Sequence, residues 1–188
     1  MDALFTSFLA AALAEWGDKT QLLVVALAAR YGKPGPVLAG VALAALANSL
    51  IAAFAGGLIS GYITLRAISL LVAVALVLTG VGGLMRTKTP DMGAGWKVGA
   101  FLTTLTCFFL LEFGDKTQFM TAALAAQYDS VWLAAIGATT GIAAANAPAI
   151  VLGARFPEVV PLRGIRLGVA ILFLLLGALV AINALRLI

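Results

Sequence analysis

The stretch Glu15-Trp16-Gly17-Asp18-Lys19-Thr20-Gln21 recurs in the chain with one difference, as Glu112-Phe113-Gly114-Asp115-Lys116-Thr117-Gln118. The two stretches lie 97 residues apart. Eleven of seventeen positions are identical when 15–31 is aligned with 112–128. We therefore predict that the chain consists of two copies of one structural unit, each with this polar motif inside an apolar run.

The composition around the motifs is that of a membrane protein. Of 188 residues, 63% are apolar and 11% are charged, with a mean hydropathy of +1.10. Soluble domains are nearer half apolar and a quarter charged, and a soluble fold of this size has too much surface to hide so many apolar side chains. These values exclude an ordinary soluble enzyme, a disordered chain and a secreted disulfide scaffold.

Two residue types limit the chemistry further. Cys107 is the single cysteine, so no disulfide can form within the chain, and histidine is absent. The usual ligand of zinc, copper and nickel sites is therefore missing. The net charge of +4 comes from basic residues that mostly flank apolar runs, so we predict a lipid bilayer and no nucleic acid as partner.

Apolar runs long enough for membrane helices occur six times. A membrane helix needs about 20 mostly apolar residues, and turn-forming stretches such as Gly32-Lys33-Pro34 separate the runs. The first and fourth runs are longer than one straight helix requires. We predict an all-α integral membrane protein with six transmembrane helices, at about 4–30, 36–60, 66–86, 97–127, 131–154 and 164–186.

The basic residues between the runs are distributed unevenly. The loops that follow odd-numbered helices carry eight of them, whereas the opposite side carries only Arg66 and Arg186. Cytoplasmic loops are enriched in Lys and Arg, so we predict that both termini lie outside the cytoplasm. The eight residues are Arg30, Lys33, Arg86, Lys88, Lys97, Arg155, Arg163 and Arg166.

The duplication sets the predicted organisation of a single transmembrane domain. Repeat one covers 1–86, a linker covers 87–96, and repeat two covers 97–188. Because each repeat has three helices, an odd number, the second repeat must enter the membrane from the opposite side to the first. We therefore predict two inverted three-helix repeats, an architecture common among secondary transporters.

The motifs place carboxylates inside membrane helices, where ionisable residues are costly and usually functional. Glu15 and Asp18 are three residues apart and share one helix face, as do Glu112 and Asp115. Inverted symmetry would bring both pairs together near the middle of the membrane. Four carboxylates cannot all stay ionised together in a dry site, so bound cations, bound protons or neighbouring lysines must compensate them.

The side chains of the motifs offer only oxygen ligands, which suit Ca²⁺, Mg²⁺ and Mn²⁺. Mg²⁺ is the weaker candidate because it gives up its water reluctantly. The predicted metal ligands are Glu15, Asp18, Gln21, Glu112, Asp115 and Gln118. The supporting residues are Lys19, Thr20, Lys116, Thr117, Asn48 and Asn146, of which the two asparagines match between repeats after a gap of one residue.

Two further features of the motifs carry expectations. Lys19 and Lys116 follow the aspartates, and we expect each to pair across to the other repeat and reduce the charge of the site. Gly17 and Gly114 lie between the two acids of each motif. A glycine there permits either a broken helix or close helix packing, and both interpretations stay open at this point.

Two copies of Glu-x-Gly-Asp-Lys-Thr, one in each half of a small membrane protein, resemble the transmembrane protein 165 / Gdt family (uncharacterised protein family 0016). Both motifs match in full, and the resemblance covers essentially the whole chain. It implies transport of Mn²⁺ or Ca²⁺ coupled to protons, with Glu15, Asp18, Glu112 and Asp115 as the cation site. It also implies a bacterial member in the inner membrane, for which Mn²⁺ export is the expected activity.

Other functions compete with a cation–proton exchanger of this kind. An exporter of a small organic cation, such as a basic amino acid, would also use acidic pairs. A passive cation channel, formed by a dimer of the chain, would need no coupling ion. A membrane enzyme is disfavoured because the chain has no nucleophile–base pair or metalloprotease motif, and no cofactor is expected beyond the transported cation and the protons.

Overall fold

A computed structural model describes residues 1–85, 88–90 and 96–186. Helices make up most of these residues, and no β-strand occurs among them. The predicted all-α class is confirmed. The helices are α1 (Asp2–Glu15), α2 (Lys19–Tyr31), α3 (Pro34–Ser60), α4 (Leu65–Leu84), α5 (Ala100–Glu112), α6 (Lys116–Tyr128), α7 (Val131–Leu152), α8 (Phe156–Val159) and α9 (Leu162–Leu185).

Four helical stretches in the described part of the chain are long and apolar enough to cross a membrane. They are Pro34–Ser60, Leu65–Leu84, Val131–Val159 and Leu162–Leu185, so the protein is an integral membrane protein as its composition predicts. The other two predicted spans, 4–30 and 97–127, are each divided into two short helices. Helices α1 and α2 form the first, and α5 and α6 form the second.

Both divisions fall at the glycine of a motif. Gly17 has a φ of +72° and Gly114 has a φ of +76°, a left-handed backbone conformation that glycine adopts without steric cost. The chain leaves the helix at Trp16 and Phe113 and resumes it at Lys19 and Lys116. Of the two interpretations of these glycines, the broken helix is therefore the one observed.

The helix boundaries repeat with the same period as the sequence. The first residues of α6, α7 and α9 each lie 97 positions after the first residues of α2, α3 and α4. Gln21 donates to the carbonyl of Ala145, and Gln118 donates to the carbonyl of Asn48, 97 positions earlier than Ala145. The predicted one-residue gap is therefore wrong, because the residue that occupies the position of Asn146 in the first repeat is Ser49.

Small side chains hold the helices close together. The fully buried positions of α3, α6 and α7 are mainly alanines, among them Ala44, Ala53, Ala125 and Ala138. Helix α1 packs along α7 and α5 packs along α3, while α3 contacts α7 and α4 contacts α9. Large apolar residues such as Leu175 and Val151 point outward, as expected when lipid is the solvent and small residues mediate helix contacts.

The start of α1 and the end of α9 lie at one end of the helix bundle. At that end Arg66 donates to the carbonyl of Leu185, and the hydroxyl groups of Thr6 and Tyr128 are 3.1 Å apart. The opposite end carries Arg30, which donates to the carbonyl of Trp96. Arg86 and most of the predicted linker 87–96 lie outside the described residues.

Candidate functional site

Four short helices end or begin at the motifs. Helices α1 and α5 end at Glu15 and Glu112, whereas α2 and α6 begin at Lys19 and Lys116. The carboxyl end of a helix carries a partial negative charge. Ends of broken membrane helices with unwound carbonyl groups are a common way to build a cation site, so the local backbone already favours a cation beside the two glutamates.

Two ion pairs cross between the motifs. The Lys19 Nζ atom lies 2.9 Å from Asp115 Oδ1, and the Lys116 Nζ atom lies 2.6 Å from Asp18 Oδ2. Lys116 also lies 3.2 Å from Asp115 Oδ2. The expected pairing of each lysine with the opposite repeat is confirmed. The two motifs, 97 residues apart in the chain, therefore form one cluster.

Glu15 is fully buried in a network of hydrogen-bond donors. The Thr20 hydroxyl donates to its Oε2 at 2.7 Å, and the Asn146 amide donates to the same oxygen at 3.2 Å. The Thr117 hydroxyl donates to its Oε1 at 3.5 Å. Thr117 belongs to the second motif, so the carboxylate of the first repeat takes a donor from each half.

Glu112 has the same burial but a different environment. Its side chain is 1% exposed, and neither carboxylate oxygen has a hydrogen-bond partner among the described residues. It lines a narrow cavity, together with Asn48, Ser49, Thr117, Gln118, Thr121 and Ile142. An unpartnered buried carboxylate is costly, and this cavity is the place where a ligand could satisfy it.

The two motif glutamines bracket the helix breaks. Gln21 accepts from the backbone N–H of Gly17 at 2.8 Å, and Gln118 accepts from that of Gly114 at 2.6 Å. Through their amide nitrogens they reach the carbonyls of Ala145 and Asn48. In this conformation their side-chain oxygens are thus engaged in holding the break, although both were predicted as metal ligands.

The two predicted asparagines have unlike roles. Asn146 donates to Glu15, whereas the amide of Asn48 donates to the carbonyl of Phe109 at 3.1 Å. Asn48 nevertheless borders the cavity of Glu112. The asymmetry follows from the register, since Asn48 and Asn146 are not equivalent positions of the two repeats.

The two breaks are covered to different extents. A methyl group at Gly17 would lie 3.1 Å from both the Arg166 Cβ atom and the Leu162 carbonyl, and the ring of neighbouring Trp16 packs against Phe156. A methyl group at Gly114 would meet nothing within 4 Å, and Phe113 is 57% exposed. The first break is therefore closed by the start of α9, and the second is open.

The four motif acids do not surround one point in this conformation. Within 1–85, 88–90 and 96–186, no three acidic or cysteine side chains converge closely enough to hold a metal ion. The lysine ammonium groups lie against the aspartates instead. The oxygen-rich region without a lysine is the cavity of Glu112.

Sequence reasoning missed Ser49 and Thr121 as members of this region. Thr121 lies one turn after Thr117 on α6, so extending the polar face of the motif by one turn would have identified it. Ser49 has no such signal, because it lies on a different helix and its alignment depends on the ungapped register.

Comparison with known proteins gives two matches and one negative result. A family model described as "Divalent cation/proton antiporter GDT1" matches residues 3–91 and 100–187. A curated relative from Vibrio cholerae serotype O1, named "Putative manganese exporter", is 38% identical over 178 residues, which is 94% of this chain and 89% of the relative. No solved structure gives a significant match. Both names describe transporters rather than enzymes.

Proposed function

This chain belongs to the GDT1 family of divalent cation/proton antiporters, and on that premise we propose that it exports Mn²⁺ from the cytoplasm in exchange for protons. The observation that carries the proposal is the pair of crossed contacts, Lys19 with Asp115 and Lys116 with Asp18. They join the two motifs into one partly buried charged cluster. A scaffold has no need for such a cluster in lipid, where buried charges are costly.

The charge of the cluster suggests the stoichiometry. Four motif carboxylates and two lysines leave two negative charges when all are ionised. One divalent cation or two protons would neutralise that excess. The cluster would therefore be stable with one divalent cation bound or with two protons bound. It would be unfavourable when it is empty or when it holds the cation and the protons together, which is the condition for obligatory exchange.

The energetics favour the same exchange. Moving one charge across the membrane is worth about 2.3 kcal/mol per 100 mV, so exporting a divalent cation against an inside-negative potential costs roughly twice that. Two protons moving inward for each cation moving outward cancel the electrical cost. The proton gradient then drives export.

We infer alternating access as the mechanism. The unequal cover of the two helix breaks, closed at Gly17 and open at Gly114, supports a protein that adopts different states at its two faces. Cation binding would withdraw the lysine ammonium groups from Asp18 and Asp115, and protonation of Glu15 and Glu112 would then release the cation outward.

Six membrane crossings, as two inverted three-helix repeats, fit this mechanism. Each pair of half-helices, α1 with α2 and α5 with α6, would make one broken crossing. The equal offsets of the helix starts, and the position of the start of α1 and the end of α9 at one end of the bundle, support this arrangement. The basic residues of the odd loops favour an inner-membrane orientation in which that end faces away from the cytoplasm.

Mn²⁺ is preferred over Ca²⁺ as the cargo on the strength of the relative named as a manganese exporter. The oxygen-only side chains of the cluster suit either cation.

The proposal is tested in proteoliposomes that contain the purified protein and a pH gradient. One internal dye reports Mn²⁺ or Ca²⁺ and a second reports protons, for the wild type, Glu15→Gln, Glu112→Gln and the exposed control Glu158→Gln. We expect Mn²⁺ flux with opposite proton flux in the wild type and the control, and at least roughly tenfold slower coupled flux in both motif variants.

Each other result contradicts a definite part of the proposal. Mn²⁺ flux that ignores the pH gradient would indicate a passive channel. Proton flux that is inhibited by lysine or arginine but not by Mn²⁺ would indicate an organic cation exporter. Full coupled transport in both motif variants would remove the motif glutamates from the mechanism.

A further inference from the structure

The two motif glutamates occupy equivalent positions of the repeat but have unequal surroundings. Glu15 accepts hydrogen bonds from Thr20, Asn146 and Thr117, so donors already surround its oxygens. Glu112 accepts none from any residue that the structure describes, although it is just as buried. Both of its carboxylate oxygens are buried, and they are therefore available to a ligand in the cavity that Glu112 lines.

The cavity beside Glu112 is bordered by two hydroxyl groups that have no equivalent beside Glu15. Ser49 and Thr121 both border it, and both are buried. The equivalent positions beside Glu15 lie 97 residues away in the sequence. Asn146 is the counterpart of Ser49, and Val24 is the counterpart of Thr121. The amide of Asn146 directs an N–H group at its glutamate, and Val24 has no polar side-chain atom.

These differences change what each half can bind. A hydroxyl group whose hydrogen is already donated elsewhere presents an oxygen lone pair to a cation. The Thr121 hydroxyl is in this state, because it donates to the carbonyl of Thr117 at 2.8 Å. The amide N–H groups of Asn48 and Gln118, which also border this cavity, donate to backbone carbonyls. The surroundings of Glu112 therefore offer oxygen ligands, whereas those of Glu15 are filled by donors.

We propose that the transported divalent cation binds in the cavity of Glu112, with the hydroxyl oxygens of Ser49 and Thr121 as ligands beside the carboxylate. The proposal rests on the proposed function and adds to it two ligand residues and separate roles for the two motif glutamates. Glu15, saturated by its donors, holds the two motifs together in this conformation, and Glu112 receives the cargo.

The size of the cavity predicts selectivity among divalent cations. The space between Glu112, Ser49 and Thr121 has no room for a water molecule in this conformation. A bare divalent cation is smaller than a water molecule, so the cargo would enter without its hydration shell. Mg²⁺ keeps its water strongly, and we expect this site to discriminate against it.

The test measures Mn²⁺ binding to the purified full-length protein by calorimetry, together with Mn²⁺ transport in proteoliposomes. The variants are Ser49→Ala, Thr121→Val and the double variant, and valine is the residue at the equivalent position 24. We expect the dissociation constant for Mn²⁺ to rise by roughly tenfold or more in the double variant, as is common when a metal site loses a partner.

Matched variants separate coordination from packing. Thr121→Ser keeps the hydroxyl group and should retain Mn²⁺ affinity within about twofold of the wild type. That change is well below the roughly 10–100-fold losses of affinity seen when metal sites are damaged. Thr139→Val removes a hydroxyl that makes the same bond to a preceding carbonyl on α7 and should leave affinity unchanged. Mg²⁺ at equal concentration should not displace Mn²⁺ from the wild type.

The outcomes distinguish this inference from the function on which it rests. A wild type that neither binds nor transports Mn²⁺ would overturn both. A wild type that transports Mn²⁺, with unchanged affinity in the double variant, would overturn only the assignment of Ser49 and Thr121. Equal losses in Thr121→Val and Thr121→Ser would also overturn it, because the hydroxyl group would then be irrelevant.

Discussion

At the scale of single residues, Lys19 and Lys116 compensate the negative charge of the motif aspartates when no cation is bound. Lys116 contacts both motif aspartates, at 2.6 Å and 3.2 Å, and its side chain is only 13% exposed. Lys19 makes one such contact and is 33% exposed. The two lysines therefore occupy equivalent positions of the motif but contribute unequally to the stability of the folded protein.

This difference yields a prediction for Lys116→Met and Lys19→Met. Removing one partner of a buried ion pair typically costs about 3–5 kcal/mol, so Lys116→Met should lower the melting temperature in chelator much more than Lys19→Met does. Adding Mn²⁺ should restore part of the loss, because a divalent cation replaces the missing positive charge. The measurement is thermal unfolding of the detergent-purified protein with and without Mn²⁺.

Two results would contradict this account of the lysines. Equal melting temperatures for the two variants would show that the buried contacts of Lys116 add nothing to stability. A loss of stability in Lys116→Met that is the same with and without Mn²⁺ would show that ammonium and cation do not substitute for one another.

The residue types of the site, more than their contacts, were predictable from the sequence. Duplication of the motif was enough to select Glu15, Asp18, Glu112 and Asp115, because ionisable groups in apolar runs stand out. The sequence did not indicate that Thr117 would donate to Glu15 and leave Glu112 without a partner among the described residues. The hydrogen-bond partners of the two glutamates differ because their packed environments differ, although the local sequences are nearly the same.

At the scale of helices, the two breaks are the elements that shape the site. Each needs a left-handed backbone at its glycine, and each is bracketed by a glutamine four residues later. The breaks allow α1 and α5 to end, and α2 and α6 to begin, inside the bundle. Without them the motif acids would lie on the sides of two long helices.

Alanine substitutions at the two break glycines should differ in their effect. A left-handed conformation costs an L-residue roughly 1–2 kcal/mol, and both Gly17→Ala and Gly114→Ala should lose that much stability. Only at Gly17 does the new methyl group also crowd α9, at 3.1 Å from Leu162 and Arg166. We expect a lower melting temperature for Gly17→Ala than for Gly114→Ala.

Unfolding of the two variants under identical detergent conditions provides the check, and Gly35→Ala, where a methyl group meets nothing within 4 Å, is the control for handling. Gly114→Ala as the less stable variant would contradict the unequal cover of the two breaks. Such a result would favour a state in which the second break is the closed one.

The lengths of the first and fourth apolar runs are a sequence signal for these breaks. Both runs exceed the roughly 20 residues that one straight helix needs. Length alone does not distinguish a break from a tilted helix, and a glycine in the run serves close packing as well. The positive φ angles at Gly17 and Gly114 identify the break.

At the scale of the whole molecule, orientation is the property that connects the fold to the direction of transport. Contacts between Arg66 and Leu185, between Ser69 and Gln127 and between Thr6 and Tyr128 place the start of α1 and the end of α9 at one end of the bundle. The basic residues near the opposite end, such as Lys33, favour a cytoplasmic location for it. An exporter driven by inward protons needs the cation to load from that side.

Thiol labelling of intact cells tests the orientation. In a Cys107→Ala background, which removes a buried cysteine, single cysteines replace Tyr62 or Lys33, both exposed and outside the helices. An impermeant maleimide should label Tyr62→Cys in intact cells and Lys33→Cys only after permeabilisation. The reverse pattern would place the termini in the cytoplasm and would contradict the proposed direction of loading.

The class of the protein, its duplication and the residues of the cluster all follow from the amino-acid sequence. Composition is a property of the chain alone, and a repeated motif is visible in the order of its residues. The ungapped register that aligns Ser49 with Asn146, the contacts of the crossed lysines and the unequal environments of Glu15 and Glu112 follow only from the packed fold. They depend on how α3, α5, α6 and α7 pack, because donors from distant segments of the chain compete for the same carboxylates only once the bundle has formed.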